Sequence, residues 1–312
     1  TTTAGTSNFR AGVNAGNSIA SGGNYNTVVG DEAGTAINTG DQNTFVGAFS
    51  GEATATTADN TALGLSTLRN NVGSYNTALG SQALRTSGDT TYNTAVGYKA
   101  GYLVSTGIKN TLIGSLAGDA LTDADFNVAV GFEALGADTK GTGSVAVGRA
   151  ALEAQNFTTA TTTYNVAVGH HAGLAVTTGI QNTLIGGLAG DALTGSGFNG
   201  SGNRVAGADQ NVVVGYGALT TDTKGGRNVA IGGNALSVQN FTTAEYTYNT
   251  AIGANAGSAI AAAGGHIPGR FNTLIGGLAG DNITTGDSNI IIGHGIDADS
   301  ETADNQLNIG GW

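Results

Sequence analysis

The chain of 312 residues contains no cysteine and no methionine, and its only proline is Pro268. Without cysteine, neither a disulfide framework nor a cysteine-based zinc site can form. No apolar run approaches the roughly 18 residues of a membrane span, and no basic and then apolar leader opens the sequence, so we predict no membrane insertion. The absence of methionine at position 1 predicts a processed product or the ordered part of a longer chain.

Charged and aromatic residues are also scarce, at 11% and 6% of the chain. A large mixed core of Leu, Phe and Met cannot be assembled from such a composition, yet low charge argues against disorder. The 22 acidic residues outnumber the 11 basic ones, and the formal net charge is −11. Because no cluster of Lys or Arg offers a path for a phosphate backbone, we predict no nucleic-acid partner.

What the chain does contain is glycine, with 54 residues, and a repeated motif. The segment NTLIGSLAGDAL begins at Asn110, NTLIGGLAGDAL at Asn182 and NTLIGGLAGDNI at Asn272. Copies of the pattern Asn, Thr or Val, two aliphatic residues and Gly recur mostly 17 residues apart, which is typical of a solenoid. The leading asparagines of the well-formed copies are Asn26, Asn43, Asn60, Asn76, Asn93, Asn110, Asn127, Asn165, Asn182, Asn211, Asn228, Asn249, Asn272 and Asn289.

Each repeat is predicted to form a strand, a tight turn, a second strand and a longer polar return, because runs of Val, Ile and Thr bounded by Gly and Asn are β signals. No segment has a sustained helical period with caps. We therefore predict an all-β fold, a parallel β-roll or β-helix solenoid of about 17-residue coils. Two sheets are favoured, and a three-sided helix is the alternative.

The positions of the repeat predict an assembly. Strand side chains alternate between faces, so the second and fourth positions share one face and the third lies on the other. Both faces are apolar, as in a sheet that is buried on both sides. The interior of a single roll buries only one of these faces. We therefore predict a homotrimer, although the pattern itself leaves the number of chains open. The asparagines should hydrogen-bond from coil to coil, and the glycine should supply a positive φ or a close backbone approach.

An aromatic residue often precedes the asparagine. Two interpretations are a column of stacked rings and a saccharide-binding platform. The aromatic copies are Tyr25, Tyr75, Tyr92, Phe126, Tyr164, Tyr248 and Phe271.

Three regions are predicted along the chain: an N-terminal cap with a first degenerate coil over 1–25, the repeat array over 26–288, and C-terminal coils over 289–312 that lead to a missing downstream domain. A block of four coils beginning at Asn110 is repeated from Asn182. Insertions between coils predict loops that project from the stack. They lie near 156–164, 196–210, 240–248 and 261–270.

The repeats NTAVGYKAG, NVAVGFEAL and SVAVGRAAL resemble the head repeats of trimeric autotransporter adhesins, which also occur in bacteriophage tail fibres. The segment NIIIGHGIDADSETADNQLNIGGW is similar to the part of tail fibres that precedes an endosialidase-type chaperone domain. The resemblance implies left-handed rolls assembled as trimers and a location in a virion tail fibre or outside the cell. The implied partners are further copies of the chain, other tail proteins and a host cell-surface glycan or protein receptor.

Several carboxylates and histidines could in principle form a catalytic or metal site. Carboxylate pairs could cleave glycans, but they lie in turns or change between copies, so we predict no enzyme. The pairs are Asp31 with Glu32, Asp123 with Asp125, and Asp297 with Asp299. The run that starts at Asp297 lacks the glycine and the closing acid of a calcium loop. His170 and His171 are turn residues, and we predict neither a metal nor another cofactor.

The sequence thus predicts a structural, non-enzymatic phage tail fibre that mediates attachment to a host cell surface. The alternatives are a bacterial trimeric autotransporter-type adhesin head and a glycan-cleaving tailspike. An ice-binding solenoid is set aside because its threonines share the face of aliphatic residues that we predict to be buried. Candidate receptor contacts lie on the non-repeating loops, and they are Phe157, Phe241, Tyr246, His266, Ile267 and Arg270.

Overall fold

The structure is a computed structural model that describes residues 5–195, 207–261 and 269–310. The chain divides into two compact units. Unit 1 comprises residues 1–144 and 156–161, and unit 2 comprises residues 145–155 and 162–312. Within the described ranges there are strands and turns but no helix.

Unit 1 contains a parallel sheet of strands that are three residues long, one from each coil. Each strand pairs in register with the next, as in Thr27 with Thr44 and Thr44 with Thr61. The strands are β1 (Phe9–Ala11), β2 (Thr27–Val29), β3 (Thr44–Val46), β4 (Thr61–Leu63), β5 (Thr77–Leu79), β6 (Thr94–Val96), β7 (Thr111–Ile113) and β8 (Val128–Val130). The two-residue strand β9 (Gly141–Thr142) follows in the same unit.

Unit 2 repeats this arrangement with nine three-residue strands, so the two units together contain about 17 coils. Its strands are β10 (Val145–Val147), β12 (Val166–Val168), β13 (Thr183–Ile185), β14 (Val212–Val214), β16 (Val229–Ile231), β18 (Thr250–Ile252), β19 (Thr273–Ile275), β20 (Ile290–Ile292) and β21 (Leu307–Ile309). Unit 2 also contains the two-residue strands β15 (Gly225–Gly226) and β17 (Glu245–Tyr246), which pair with each other, while β11 (Thr161–Thr162) begins at the last residue of unit 1.

The predicted all-β parallel solenoid is confirmed, but the expectation of two sheets is wrong. The second half of each coil consists of turns instead of a strand. Left-handed residues recur there at alternate positions, as at Glu32 (φ 56°) and Gly34 (φ 54°), and this conformation is incompatible with a strand. These turns still stack through backbone hydrogen bonds, such as Gly34 N–H to the Ser50 carbonyl at 2.8 Å.

The glycine that ends each strand meets the backbone of the next coil. Gly30 has φ 136°, and a Cβ added to it would lie 2.6 Å from the carbonyl carbon of Gly47. Gly97 has the same φ and an equally close approach to Gly114. Only glycine tolerates both the conformation and the contact, so the predicted role of this residue is confirmed.

The core of each unit is built from the third residue of each repeat, which is the middle residue of its strand, together with one further large side chain in most coils. The left-handed residue after the buried alanine is either glycine or leucine. Where it is glycine, as at Gly118, the residue three positions later is usually aliphatic, as at Leu121. Where it is leucine, as at Leu84 and Leu236, the later residue is polar. The interior of a coil therefore has room for one large aliphatic side chain from these two positions, either the leucine after the alanine or the aliphatic residue three positions later, but not for both.

The second and fourth residues of the repeat, which are the first and last residues of each strand, form an outer sheet face in each unit. The third position is fully buried inside the coil, as at Ala62 and Leu184. By contrast, Leu63 is 48% exposed and Ile185 is 39% exposed. Thr61 also lies exposed on this face. The burial predicted for this face is therefore not supplied by the residues that the structure describes.

Candidate functional site

The asparagines that open the repeats form a buried column within each unit. The backbone N–H and the Nδ2 of Asn43 donate to Oδ1 of Asn26 at 3.0 and 3.1 Å, and its Nδ2 also donates to the Thr57 carbonyl at 2.9 Å. Asn60 binds Asn43 in the same way. Because these amides bind the neighbouring coils on both sides, the column holds the coils in register.

The residue before each asparagine forms the corner of the coil, and it is left-handed in almost every copy. For Arg227 and Phe271, φ is 62° and 60°. A left-handed residue that is not glycine is strained, but most corner N–H groups donate to a carbonyl of the preceding coil. Arg227 N–H does so to Asp209 and Phe271 N–H to Thr247, both at 2.9 Å. The corner turns the side chain outwards, so successive corners line up as a surface column.

Five consecutive corners of unit 2 make a continuous chain of side-chain contacts, which we call the corner strip. Its members are Gln181, Gln210, Arg227, Tyr248 and Phe271. Gln210 Nε2 donates to Oε1 of Gln181 at 2.9 Å, and Arg227 Nε donates to Oε1 of Gln210 at 2.7 Å. Arg227 Nη1 donates to the Tyr248 hydroxyl. The rings of Tyr248 and Phe271 stack with centroids 5.6 Å apart.

Two further side chains flank the corner strip. The guanidinium carbon of Arg227 lies 3.8 Å from the ring centroid of Tyr246 and 5.4 Å from that of Tyr248. The guanidinium of Arg270 lies over Phe271 at 5.4 Å, and it is paired with Asp287 at 3.5 Å. The strip is therefore a set of rings and amides around two arginines.

The aromatic corners stack upon each other where they occur in neighbouring coils. Besides the pair in unit 2, Tyr75 and Tyr92 of unit 1 stack with centroids 4.9 Å apart and planes 4° apart. In unit 2, Phe271 covers one side of the Tyr248 ring, and the Arg227 guanidinium lies near it as well. These stacks match the interpretation as a column of rings, and they engage the ring faces on which a flat sugar would pack.

The six candidate receptor contacts are distributed unevenly. Phe157 and Phe241 lie in the core, only 5% and 1% exposed, and this part of the prediction is corrected. Tyr246 and Arg270 are partly exposed beside the corner strip. The remaining two, His266 and Ile267, lie outside the described residues.

The burial of Phe241 has a specific cause, the carboxylate of Asp222. Asp222 is completely buried, and its Oδ1 accepts N–H groups of Gly225 at 2.9 Å and Phe241 at 3.0 Å. Gln239 Nε2 donates to its Oδ2 at 2.6 Å, while Gln239 Oε1 accepts from Asn249 at 2.8 Å. Burial raises the pKa of Asp222, and the hydrogen bonds oppose this shift. The inserted segment is thus tied down at its start, which draws the phenylalanine inwards.

Unit 1 has an equivalent arrangement around Asp138. Its Oδ1 accepts from Gly141 N–H at 3.0 Å and from Phe157 N–H at 3.1 Å. Sequence reasoning placed both phenylalanines on loops because it compared them with the repeat and did not detect a buried carboxylate. The sequence does contain a signal for the buried carboxylates. Asp138 and Asp222 lie three residues after Leu135 and Leu219, at a position that is aliphatic in many other coils.

Other titratable clusters are small. The pKa of Asp281 is raised by partial burial and then by its hydrogen bond to Asp297, so Asp297 is adjacent to Asp281 of the previous coil. The rings of His170 and His171 stack 3.8 Å apart. The pKa of His171 is lowered by desolvation, by His170 and by Arg149. Within the described part of the chain, no three His, Asp or Glu side chains are grouped as metal ligands, and no helix is long and apolar enough to cross a membrane.

Comparisons of the chain with protein-family models, with curated proteins and with solved structures found no match. The fold itself places the chain among parallel β-solenoid repeat proteins.

Arg227 is the residue of the site that sequence reasoning missed. Its only signal in the sequence is its place before Asn228, a position that aromatic residues occupy in other copies.

Proposed function

We propose that this chain is a structural, non-enzymatic fibre protein of a phage tail, which attaches to the surface of a host cell. In this proposal, three copies of left-handed coils assemble with their outer sheet faces together. The observation that carries it is the outer sheet face, where one aliphatic side chain per coil stays partly exposed in the single chain. Leu63, Leu79 and Ile113 show this in unit 1, and Ile185, Ile252 and Ile275 show it in unit 2.

A face of this kind favours burial against an identical surface. Contiguous exposed apolar residues on a folded protein mark an interaction site. Removing a half-exposed leucine or isoleucine from water contributes about 1 kcal/mol, and the contribution recurs with each coil. A closed assembly of identical chains covers the same residues in every copy. Threonine and valine at the second position are compatible with such an interface, since they add little charge to it.

Assembly also supports a role in attachment. Each coil is hydrogen-bonded to the next through the sheet, the asparagine column and the turns. A repeat protein of this type presents the same surface several times, and joining copies multiplies weak contacts into durable binding. No catalytic group is needed for this function.

The oligomeric state tests the proposal. The chain has a mass of 30.6 kDa, and light scattering on the purified protein should give three times that value. Replacing Leu63 and Leu79 together by lysine should yield monomers, because two charges per chain would be buried in the interface. The matched control replaces Val72 and Leu103 by lysine, since these residues are 52% and 40% exposed but lie off the sheet. The control should remain trimeric, and a monomeric unsubstituted chain would refute the assembly.

Attachment is tested separately with a panel of bacterial cells. The fluorescently labelled trimer should remain bound to susceptible cells through washing. The Leu63→Lys, Leu79→Lys variant should be released, because avidity is lost. Equal retention of both proteins would show that attachment does not depend on assembly.

A further inference from the structure

We infer that the corner strip of unit 2 binds an acidic saccharide, with a sugar carboxylate held by Arg227. This inference rests on the proposed attachment function and specifies the chemical class of surface ligand. It concerns a different set of residues from the outer sheet face.

The first support is the state of the Arg227 guanidinium. Its side-chain contacts with described residues are to neutral groups: the Gln210 side chain, the Tyr248 hydroxyl and the rings of Tyr246 and Tyr248. Among the described residues, no carboxylate lies within ion-pair distance of Arg227. An arginine has five N–H donors in a rigid fork, and these contacts use the Nε donor and one on Nη1. The fork therefore keeps donors for a bidentate carboxylate.

Among the described residues, two of the three other arginines that lie over a ring have a carboxylate partner, and the third, Arg85, donates to the Tyr102 hydroxyl. Arg69 lies over the Phe49 ring at 4.9 Å, and Arg270 lies over Phe271. Arg69 is paired with Glu52 and Arg270 with Asp287. In a chain with 22 acidic residues and 11 basic ones, a partner for Arg227 would be easy to supply. Arg227 is likewise held by its neighbours, but none of its contacts with described residues is to a carboxylate.

The second support is the chemistry around the guanidinium. Gln181, Gln210 and Tyr248 line up on successive coils beside Arg227, and all are exposed. Amides and phenol hydroxyls can both donate and accept, which suits the hydroxyl groups of a sugar. The spacing of about 4.8 Å between coils places these groups at regular intervals along the strip. An extended saccharide would thus meet one polar side chain per coil.

The aromatic rings have a supporting role in this site. Phe271 and the guanidinium already occupy positions against the Tyr248 ring, so the sugar is not expected to pack flat on it. Tyr246 and Tyr248 instead fix the plane of the guanidinium. A cation held in this way loses little conformational freedom when a ligand binds. Recognition therefore occurs through charge and hydrogen bonds at the edge of the strip.

The experiment uses the purified chain and a panel of uronate oligosaccharides, namely oligogalacturonate and fragments of hyaluronan and alginate. Binding is measured by calorimetry. At least one should bind, and the methyl ester of oligogalacturonate should bind at least about tenfold more weakly than the acid if that sugar is the one recognised, since one charge-assisted contact is lost. Poly-glutamate has the charge without the sugar, and its equal binding would overturn the assignment to a saccharide.

Two variants localise the site. Arg227→Gln should weaken binding of the acidic oligosaccharide by at least about tenfold. The matched control is Arg69→Gln, which removes an arginine that is also stacked on a ring but already paired with Glu52, and it should leave binding unchanged. Equal affinities of Arg227→Gln and the unsubstituted chain would overturn the inference, as would failure of the whole panel to bind.

The two proposals can fail independently. A trimer that binds cells but ignores every uronate would refute the acidic-saccharide site and leave the fibre function standing. A monomer that binds the oligosaccharide through Arg227 would refute the fibre function and leave the site standing.

Discussion

Leu84 occupies the space that Gly101 leaves empty in the following coil: a Cβ on Gly101 would lie 2.9 Å from Cδ2 of Leu84. The same added atom would lie 2.7 Å from Cδ1 of Leu112 in the next coil. A glycine between two leucines therefore keeps three successive layers of the core in contact. The choice between glycine and leucine at this position therefore follows from the packing of neighbouring coils.

Gly101→Ala should consequently destabilise the protein. The substitution adds a left-handed alanine at φ 61° and two close contacts, and we expect a loss of about 2–4 kcal/mol. Gly295→Ala is the matched control, because Gly295 has φ 62° but a Cβ added to it would meet nothing within 4 Å. It should lose only about 1 kcal/mol. Urea unfolding at one protein concentration measures both, and equal losses would contradict the packing argument.

The asparagine column predicts a second effect. Oδ1 of Asn93 accepts the N–H of Asn110 at 2.9 Å, and its Nδ2 donates to the Gly107 carbonyl at 2.9 Å. Asn93→Ala would leave both buried groups without these partners, at a cost of about 1–3 kcal/mol each. Asn70 is exposed, so Asn70→Ala should change stability by less than about 0.5 kcal/mol. Similar midpoints of thermal unfolding for the two variants would argue against a stabilising column.

A third prediction concerns pH and Asp222. Burial raises the pKa of its carboxyl above the unfolded value, so the folded chain binds more protons than the unfolded chain between those two values. The stability contributed by the protonated form is complete below the unfolded pKa and is lost as pH rises through the folded pKa. Asp222→Asn cannot titrate, and the difference in unfolding free energy between the unsubstituted chain and this variant should fall as pH rises.

Measurement of that difference between about pH 4 and pH 8 checks the sign. A difference that grows with pH would mean that the donors from Gln239, Phe241 and Gly225 outweigh burial. Asp287→Asn provides a surface comparison, because Asp287 is partly exposed and accepts from Arg270.

A fourth prediction separates core from surface on the inserted segment. Phe241 is 1% exposed, so Phe241→Ala should destabilise the protein by about 3–5 kcal/mol. Tyr246 lies five residues later and is partly exposed, so Tyr246→Ala should have a much smaller effect on unfolding. If Tyr246→Ala lowered the denaturant midpoint more than Phe241→Ala did, Phe241 would not be a core residue.

Much of the fold could be predicted from the sequence because each coil contacts its neighbours through a fixed period. Asn at the first position and Gly at the fifth recur with that period, and the strands of every coil lie between them. Val28 and Phe45 alternate in face with their flanking residues as expected for strands. The turn half of the coil was mistaken for a strand, since left-handed residues such as Glu32 and Leu84 have no distinctive side-chain signature.

The sequence by itself therefore determined the period, the all-β class and the residues that stack upon their own copies, because these depend on local pattern and on nearest-neighbour contact. Only the tertiary structure decided which face of the strand enters the core, that Phe157 and Phe241 are buried, and that Arg227 meets Gln210 and Tyr248. Those contacts join residues 17 or more positions apart. They form only because the turns orient each side chain in a particular direction, and the local sequence pattern does not predict that direction.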